Sequence, residues 1–308
     1  SEKRVTLTTQ STVRECQPMQ DHPSLWTNLT PEEHEFQYNP QKAFPDFAQS
    51  RVPREPANKR ALEELGGHRD VSYGDHPLRT IDIYPANATN PAPVHVFYHG
   101  GYWRAQDKAG FAFIAGVLVE LGITTIIANY ELCPESTLDG VADSALAALE
   151  WIHHNIADYG GDPNNLTISG HSAGAHLVAE ALATDWSARN IDPAFLRGAV
   201  AVSGIYDPTP AMMTSVNEQL QLTPQIIARR NVEVRPPLVA CDVTLFAGGR
   251  EPWQWIDQTY RYAHHLHHHD IIAEVHVLPP FGHFDILMPF LDPQSAIIQA
   301  ITKKSFAP

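Results

Sequence analysis

The chain has 308 residues, enough to bury a sizeable core in one large domain or two modest ones. Its composition is 43% hydrophobic and 18% charged, ordinary for a globular protein, and its formal net charge of −14 excludes the basic face that a nucleic acid demands. No apolar run is long enough to span a bilayer, so no membrane partner is expected.

In chain order, the first 67 residues are polar and rich in proline, with no apolar signal core, and read as an N-terminal segment expected to pack on the core. From there strands and helices alternate. "PVHVFYH" reads as a strand, "AGFAFIAGVLVELG" as a helix closed by Gly122, and "ITTIIANY" as a β-branched strand. A helix follows from Leu138 to Ile156, then the turn "YGGDPNN" and the strand "LTIS". A helix after Ser172 leads to the strand "GAVAVSG". Residues 207–237 interrupt the alternation with a helical insertion, expected to form a cap over a site. The strand "VTLFAGG", the helix "WIDQTYRYAHHLHHH", the strand "IIAEVHVLP" and the helix "DPQSAIIQAITKK" complete the chain. Strands apolar on both faces, each followed by a helix, predict an α/β domain with a mostly parallel sheet covered on both sides. The expectation is one domain over residues 1–308.

Cys16, Cys133 and Cys241 are an odd, scattered set. They make no disulfide framework, point to a reducing cytoplasm, and read as buried rather than reactive thiols.

The chemistry centres on Gly170-His171-Ser172-Ala173-Gly174, placed between a strand and a helix. A Gly-x-Ser-x-Gly match alone is weak. This position is the one a nucleophile elbow requires, with Ser172 held out for attack and the following helix aiming its amides at a developing oxyanion. "HGGYW", after the strand "PVHVFY", supplies backbone amides near Gly100, Gly101 and Tyr102 that with Ala173 would form an oxyanion hole. A serine nucleophile needs a base and an orienting carboxylate, in the chain order Ser, acid, His. Glu251 follows the strand "VTLFAGG" and His283 follows "IIAEVHVLPPFG", which fits that order. Asp207, after "SGIY", is the rival acid. Asp257 lies too far into its helix and Asp242 at the wrong end of its strand.

Other histidines read as structural. His264, His265, His267, His268 and His269 end a helix, where cations suit the dipole, and no ligand spacing suggests a metal. His153 and His154 read as helix surface, and His99 as a brace for the Gly-Gly loop. Trp103, His171 and Tyr206 are candidates for the substrate pocket, with Tyr102 and Trp103 offering an aromatic wall.

Together "HGGYW", "GHSAGAHL" and "SGIYD" resemble the arylformamidase (kynurenine formamidase) family of α/β-hydrolases, a likeness that covers most of the chain. "EFQYNP", "TSVNEQLQLT", "PWQWIDQT" and "GHFDIL" carry it further, while "GGDPNN" and "GHSAGA" are shared with hormone-sensitive-lipase-like carboxylesterases. The resemblance implies an α/β-hydrolase fold with a small helical cap. It also implies Ser172 as nucleophile, His283 as base, oxyanion donors around Gly100, Gly101, Tyr102 and Ala173, and no metal or organic cofactor. Its acid position, usually Asp, falls on Glu251. In the insertion the family's Ser-Pro is replaced by "ARRNV". The expected reaction removes a small acyl group from an aryl amide, as in N-formylkynurenine, with a carboxylesterase as the alternative and a non-catalytic binding protein as a distant one. The partner is then a small aryl amide or ester, and assembly into a homo-oligomer is compatible with the sequence.

Overall fold

A computed structural model describes residues 28–87 and 91–307. Eight strands form one sheet: β1 (His68–Ser72), β2 (Thr80–Tyr84), β3 (Ala92–Tyr98), β4 (Thr124–Ala128), β5 (Gly161–His171), β6 (Leu196–Val202), β7 (Asp242–Gly248) and β8 (Ala273–Leu278). Their order is β1-β2-β4-β3-β5-β6-β7-β8. β2 pairs antiparallel with both neighbours, and every other pairing is parallel. The helices are α1 (Pro31–Tyr38), α2 (Pro40–Ala43), α3 (Glu55–Glu64), α4 (Ala112–Glu120), α5 (Leu138–Asn155), α6 (Ala173–Leu182), α7 (Asn217–Leu220), α8 (Pro224–Arg230), α9 (Trp253–His268) and α10 (Ala296–Ser305).

The period-2 pattern of the strands divides the core between the two faces. Val94, Val96 and Tyr98 of β3 join α5, α6 and α9 on one side. Phe97 between them, with Ile127 and Phe246, packs against α4 and α10 on the other. Strands buried on both sides read as the continuous apolar runs seen in the sequence. Each fully buried valine or isoleucine contributes about 2 kcal/mol. The helix ends follow local chemistry: Thr137 accepts from the Gly140 amide to start α5, and Thr30 and Glu33 form a reciprocal capping box at α1.

Two features go beyond the sequence reading: strands β1 and β2 precede the first strand read from the sequence, and the N-terminal segment, from residue 28 on, is helical over much of its length. That segment lies on the core, with Ala61 buried against α4. The insertion at 207–237 carries α7 and α8; Pro210 and Ser215 meet the N-terminal segment and Gln219 meets Arg104, while the part from α8 on packs against α5 and α6. Arg230 and Arg235 pair with the fully buried Glu180 of α6, and Arg229 and Arg230 pair with Asp139 of α5. Cys133 and Cys241 are free, with their thiols pushed up by burial to about 11 and about 12, so both are poor nucleophiles at neutral pH. Cys16 lies outside the described residues. Among the described residues, no helix is long and apolar enough to cross a membrane.

Candidate active site

β5 runs straight into Ser172, which stands at φ 56° and ψ −117° before α6 begins at Ala173. A non-glycine residue with positive φ is strained, and here the surroundings enforce it. The Ser172 amide donates to the carbonyl of Val202 on β6 at 2.8 Å. The flanking glycines are needed for close approach rather than for their own dihedrals. A Cβ on Gly174 would sit 2.0 Å from the Tyr98 carbonyl oxygen, and one on Gly170 would sit 2.2 Å from the Gly174 oxygen. Strand β3, the turn and α6 therefore touch backbone to backbone, and Ser172 projects from the point of contact.

The Gly-Gly loop after β3 lies against that serine. A Cβ on Gly100 would meet Ser172 Cβ at 3.2 Å. Gly101, Tyr102 and Trp103 follow at φ 119°, 53° and 56°, a run of positive φ that turns the backbone sharply. The loop is braced from below, as His99 Nδ1–H donates to the Gly100 carbonyl at 2.7 Å and its ring stacks on Tyr130 at 4.5 Å. The Cys133 amide donates to the Trp103 carbonyl at 2.8 Å. Ala173 opens α6, so its amide is among the first-turn donors that have no partner inside the helix.

His283 and Glu251 arrive from loops after β8 and β7. His283 Nε2 is 2.9 Å from Ser172 Oγ, and its Nδ1 is 2.6 Å from Glu251 Oε1. The other carboxylate oxygen, Oε2, accepts from the Gly248 amide at 2.7 Å and the Ser203 hydroxyl at 2.9 Å. The extra methylene of Glu is thus taken up by folding the side chain back over the end of its own strand. All three side chains are buried. Trp255 stands edge-on to the His283 ring at 4.7 Å, and its indole N–H donates to the Ser203 carbonyl. Asp207 is elsewhere engaged: its Oδ1 accepts from Thr209 and from Asn231, and its own amide is held by Gln258. Asp257 pairs with Arg261, and Asp242 with Lys304.

A cleft of about 100 Å³ opens onto Ser172 and His283. His171 lines it. Its Nε2–H donates to the His283 carbonyl at 2.7 Å, and burial, with the His283 charge second, holds it well below the usual imidazole range. It is therefore neutral, with Nδ1 unprotonated. Two pocket assignments are corrected. Trp103 is fully buried, edge-on to Tyr102 and His176, because the loop turns it into the core. Tyr206 is fully buried and stacked on Tyr262 at 4.2 Å. Neither borders the cleft.

The cap-like insertion contributes nothing to the lining either. The outer wall comes from the N-terminal segment instead, through Asn39, Phe47, Arg51 and Arg54. That segment is fastened on several sides. Tyr102 donates to the Tyr38 carbonyl at 2.8 Å, Ser215 binds Glu35, and Phe47 packs on Phe284 at 5.2 Å. Sequence reasoning missed these lining residues. The one available signal was "EFQYNP", which ends at the wall. Among the described residues, no group of three or more His, Cys, Asp or Glu side chains is placed to hold a metal ion.

A family model for the alpha/beta hydrolase fold matches residues 95–235. The kynurenine formamidase of Danio rerio is 26% identical over 292 residues, covering 91% of this chain and 98% of that one. The kynurenine formamidase of Drosophila melanogaster is 30% identical over 230 residues, 70% of this chain and 74% of that one. Among solved structures, the esterase LipW from Mycobacterium marinum superposes with a TM-score of 0.67 at 20% identity, covering 88% of this chain and 92% of that one. The last likeness carries the fold alone.

Proposed function

Because this chain belongs to the arylformamidase (kynurenine formamidase) family of α/β-hydrolases, we propose that it removes a small acyl group from an aryl amide, with N-formylkynurenine as substrate and formate and kynurenine as products. The observation that carries this reading is the line of two short hydrogen bonds, Ser172 to His283 to Glu251, at the end of the cleft. His283 Nε2 takes the serine proton as Oγ attacks the formyl carbon. The amides of Gly101, Tyr102 and Ala173 receive the oxyanion. His283 then passes its proton to the leaving arylamine, whose nitrogen lone pair is delocalised into the ring, and a formyl ester remains on Ser172. Water, deprotonated by His283, attacks that ester and releases formate. Glu251 stays ionised and stabilises the imidazolium in both halves.

The test is kcat/KM on N-formylkynurenine beside p-nitrophenyl acetate, with Ser172→Ala as control. A value near 10⁵ M⁻¹s⁻¹ on the formamide is expected, in the ordinary range for an enzyme on its own substrate. Ready ester cleavage with weak formamide turnover would replace the proposal by a carboxylesterase. Activity that survives Ser172→Ala would remove the mechanism.

A further inference from the structure

We propose that Arg54, with Arg51 beside it, forms a carboxylate-binding subsite in the reaction cleft, so that the substrate is an acylated aryl compound carrying a carboxylate. The inference rests on the proposed reaction only for where the scissile bond lies; the subsite itself follows from the cleft wall.

Arg54 is 7% exposed and borders the same cleft as Ser172 and His283. Its Nε is buried without a hydrogen-bond partner, and among the described residues no carboxylate pairs with the guanidinium. The group stands over the Phe113 ring at 5.3 Å, which holds its plane but offers no acceptor. An unpaired buried charge is costly, and arginine cannot escape the cost by losing its proton. Burial first, and then the Arg51 charge, lower its pKa to about 10, which leaves it cationic at neutral pH.

Arg51 is one turn earlier on the 3-10 helix Phe47–Arg54, where side chains three apart are eclipsed, and it lines the cleft too. Among the described residues, the arginines bordering the cleft are Arg51, Arg54 and Arg104, and no aspartate or glutamate borders it. Arg104 is already hydrogen-bonded to Gln219 and Gln41. Glu55, next in sequence to Arg54, shares an adjoining groove with Arg51 and Arg54 that Ser172 and His283 do not border, and it is paired with neither arginine. A cationic cleft in a chain of net charge −14 is a local arrangement, since it opposes the sign of the whole molecule. A planar guanidinium with free donors matches a carboxylate bidentately.

The test is binding of 3-phenylpropanoate beside 3-phenylpropanamide to the full chain by calorimetry, which needs no turnover. The wild type is expected to bind the carboxylate at least tenfold more tightly than the amide. Arg54→Gln is expected to shrink that ratio about ten- to a hundredfold, the value of a charge-assisted hydrogen bond. Arg51→Gln is expected to shrink it less. Equal binding of the two by the wild type would overturn the subsite, as would a ratio unchanged in both variants. Turnover completes the design, with 4-acetoxybenzoate beside phenyl acetate, and N-formylkynurenine separately. A carboxylate preference without formylkynurenine cleavage would sink the proposed substrate and leave the subsite standing. Formylkynurenine cleavage without the preference would do the reverse.

Discussion

His171 and His283 are joined through a side chain and a backbone. The imidazole of the residue before the serine donates to the carbonyl of the base at 2.7 Å, and the two rings are 4.9 Å apart. His171 therefore positions His283 without needing to exchange protons itself, and its neutral state spares the neighbouring imidazolium a second positive charge. His171→Phe keeps the bulk and removes the donor. We expect kcat to fall about tenfold with KM changed less than threefold, in line with one lost hydrogen bond. A change confined to KM would place His171 in substrate contact instead.

Ser172 holds strained dihedrals that a glycine would adopt freely. Ser172→Gly is expected to abolish hydrolysis while raising unfolding free energy by about 1 kcal/mol, the strain relieved less the added entropy of the unfolded chain. Ser172→Ala should lose activity without that gain. Urea midpoints of the three proteins decide it, and a Gly variant less stable than the Ala variant would contradict the strain.

Glu251 satisfies three donors at once. Glu251→Gln cannot take the imidazolium charge and forces the wrong His283 tautomer, so kcat should fall by about 10³ to 10⁴. Glu251→Asp keeps the charge but withdraws it from His283 Nδ1, and a smaller loss of about 10 to 10² is expected. Asp207→Asn, by contrast, should leave kcat within about threefold, because Asp207 is bound to Thr209 and Asn231 and not to the base. A larger kcat loss in Asp207→Asn than in Glu251→Gln would reverse the assignment of the acid.

His95 gives the fold a dependence on pH. It is fully buried between Thr167 and Ser169, at 2.8 and 2.7 Å, and desolvation lowers it to about 3. The unfolded chain takes up this proton near pH 6.5 and the native one does not. Stability is therefore complete above about 6.5 and declines as pH falls from there toward 3, with His95 alone accounting for about 2 kcal/mol by pH 5. Burial lowers His99, His171 and His176 as well, so their contributions have the same sign. Urea midpoints at pH 7.5 and pH 5 should separate clearly, and the gap should narrow in His95→Asn. Equal midpoints at the two pH values would refute this.

The central strands and the order of serine, acid and base were legible because each is a local signal. β-branched runs mark β3, β4 and β7, and a serine between glycines marks the turn after β5. What stayed hidden lacked such a signal. β1 is "HRDVS", largely exposed at the sheet edge, and only its pairing with β2 makes it a strand. The helices of the N-terminal segment are short and polar, fixed by tertiary contacts such as Tyr102 to Tyr38 rather than by an apolar stripe. Trp103 and Tyr206 sit next to the right motifs, yet positive φ turns one inward and stacking on Tyr262 engages the other. Neighbourhood in sequence did not give direction in space.

The outer wall of the cleft and its reacting groups come from different stretches of the chain. Arg51 and Arg54 precede the sheet altogether, whereas Ser172, Glu251 and His283 are anchored at strand ends within it. Substitutions in the early stretch can redraw which molecules are admitted while the proton-transfer geometry, enforced by backbone contacts around Gly170 and Gly174, stays fixed. Transplanting residues 31–64 between members of this family would then carry preference from one to another, with the chemistry supplied by the recipient.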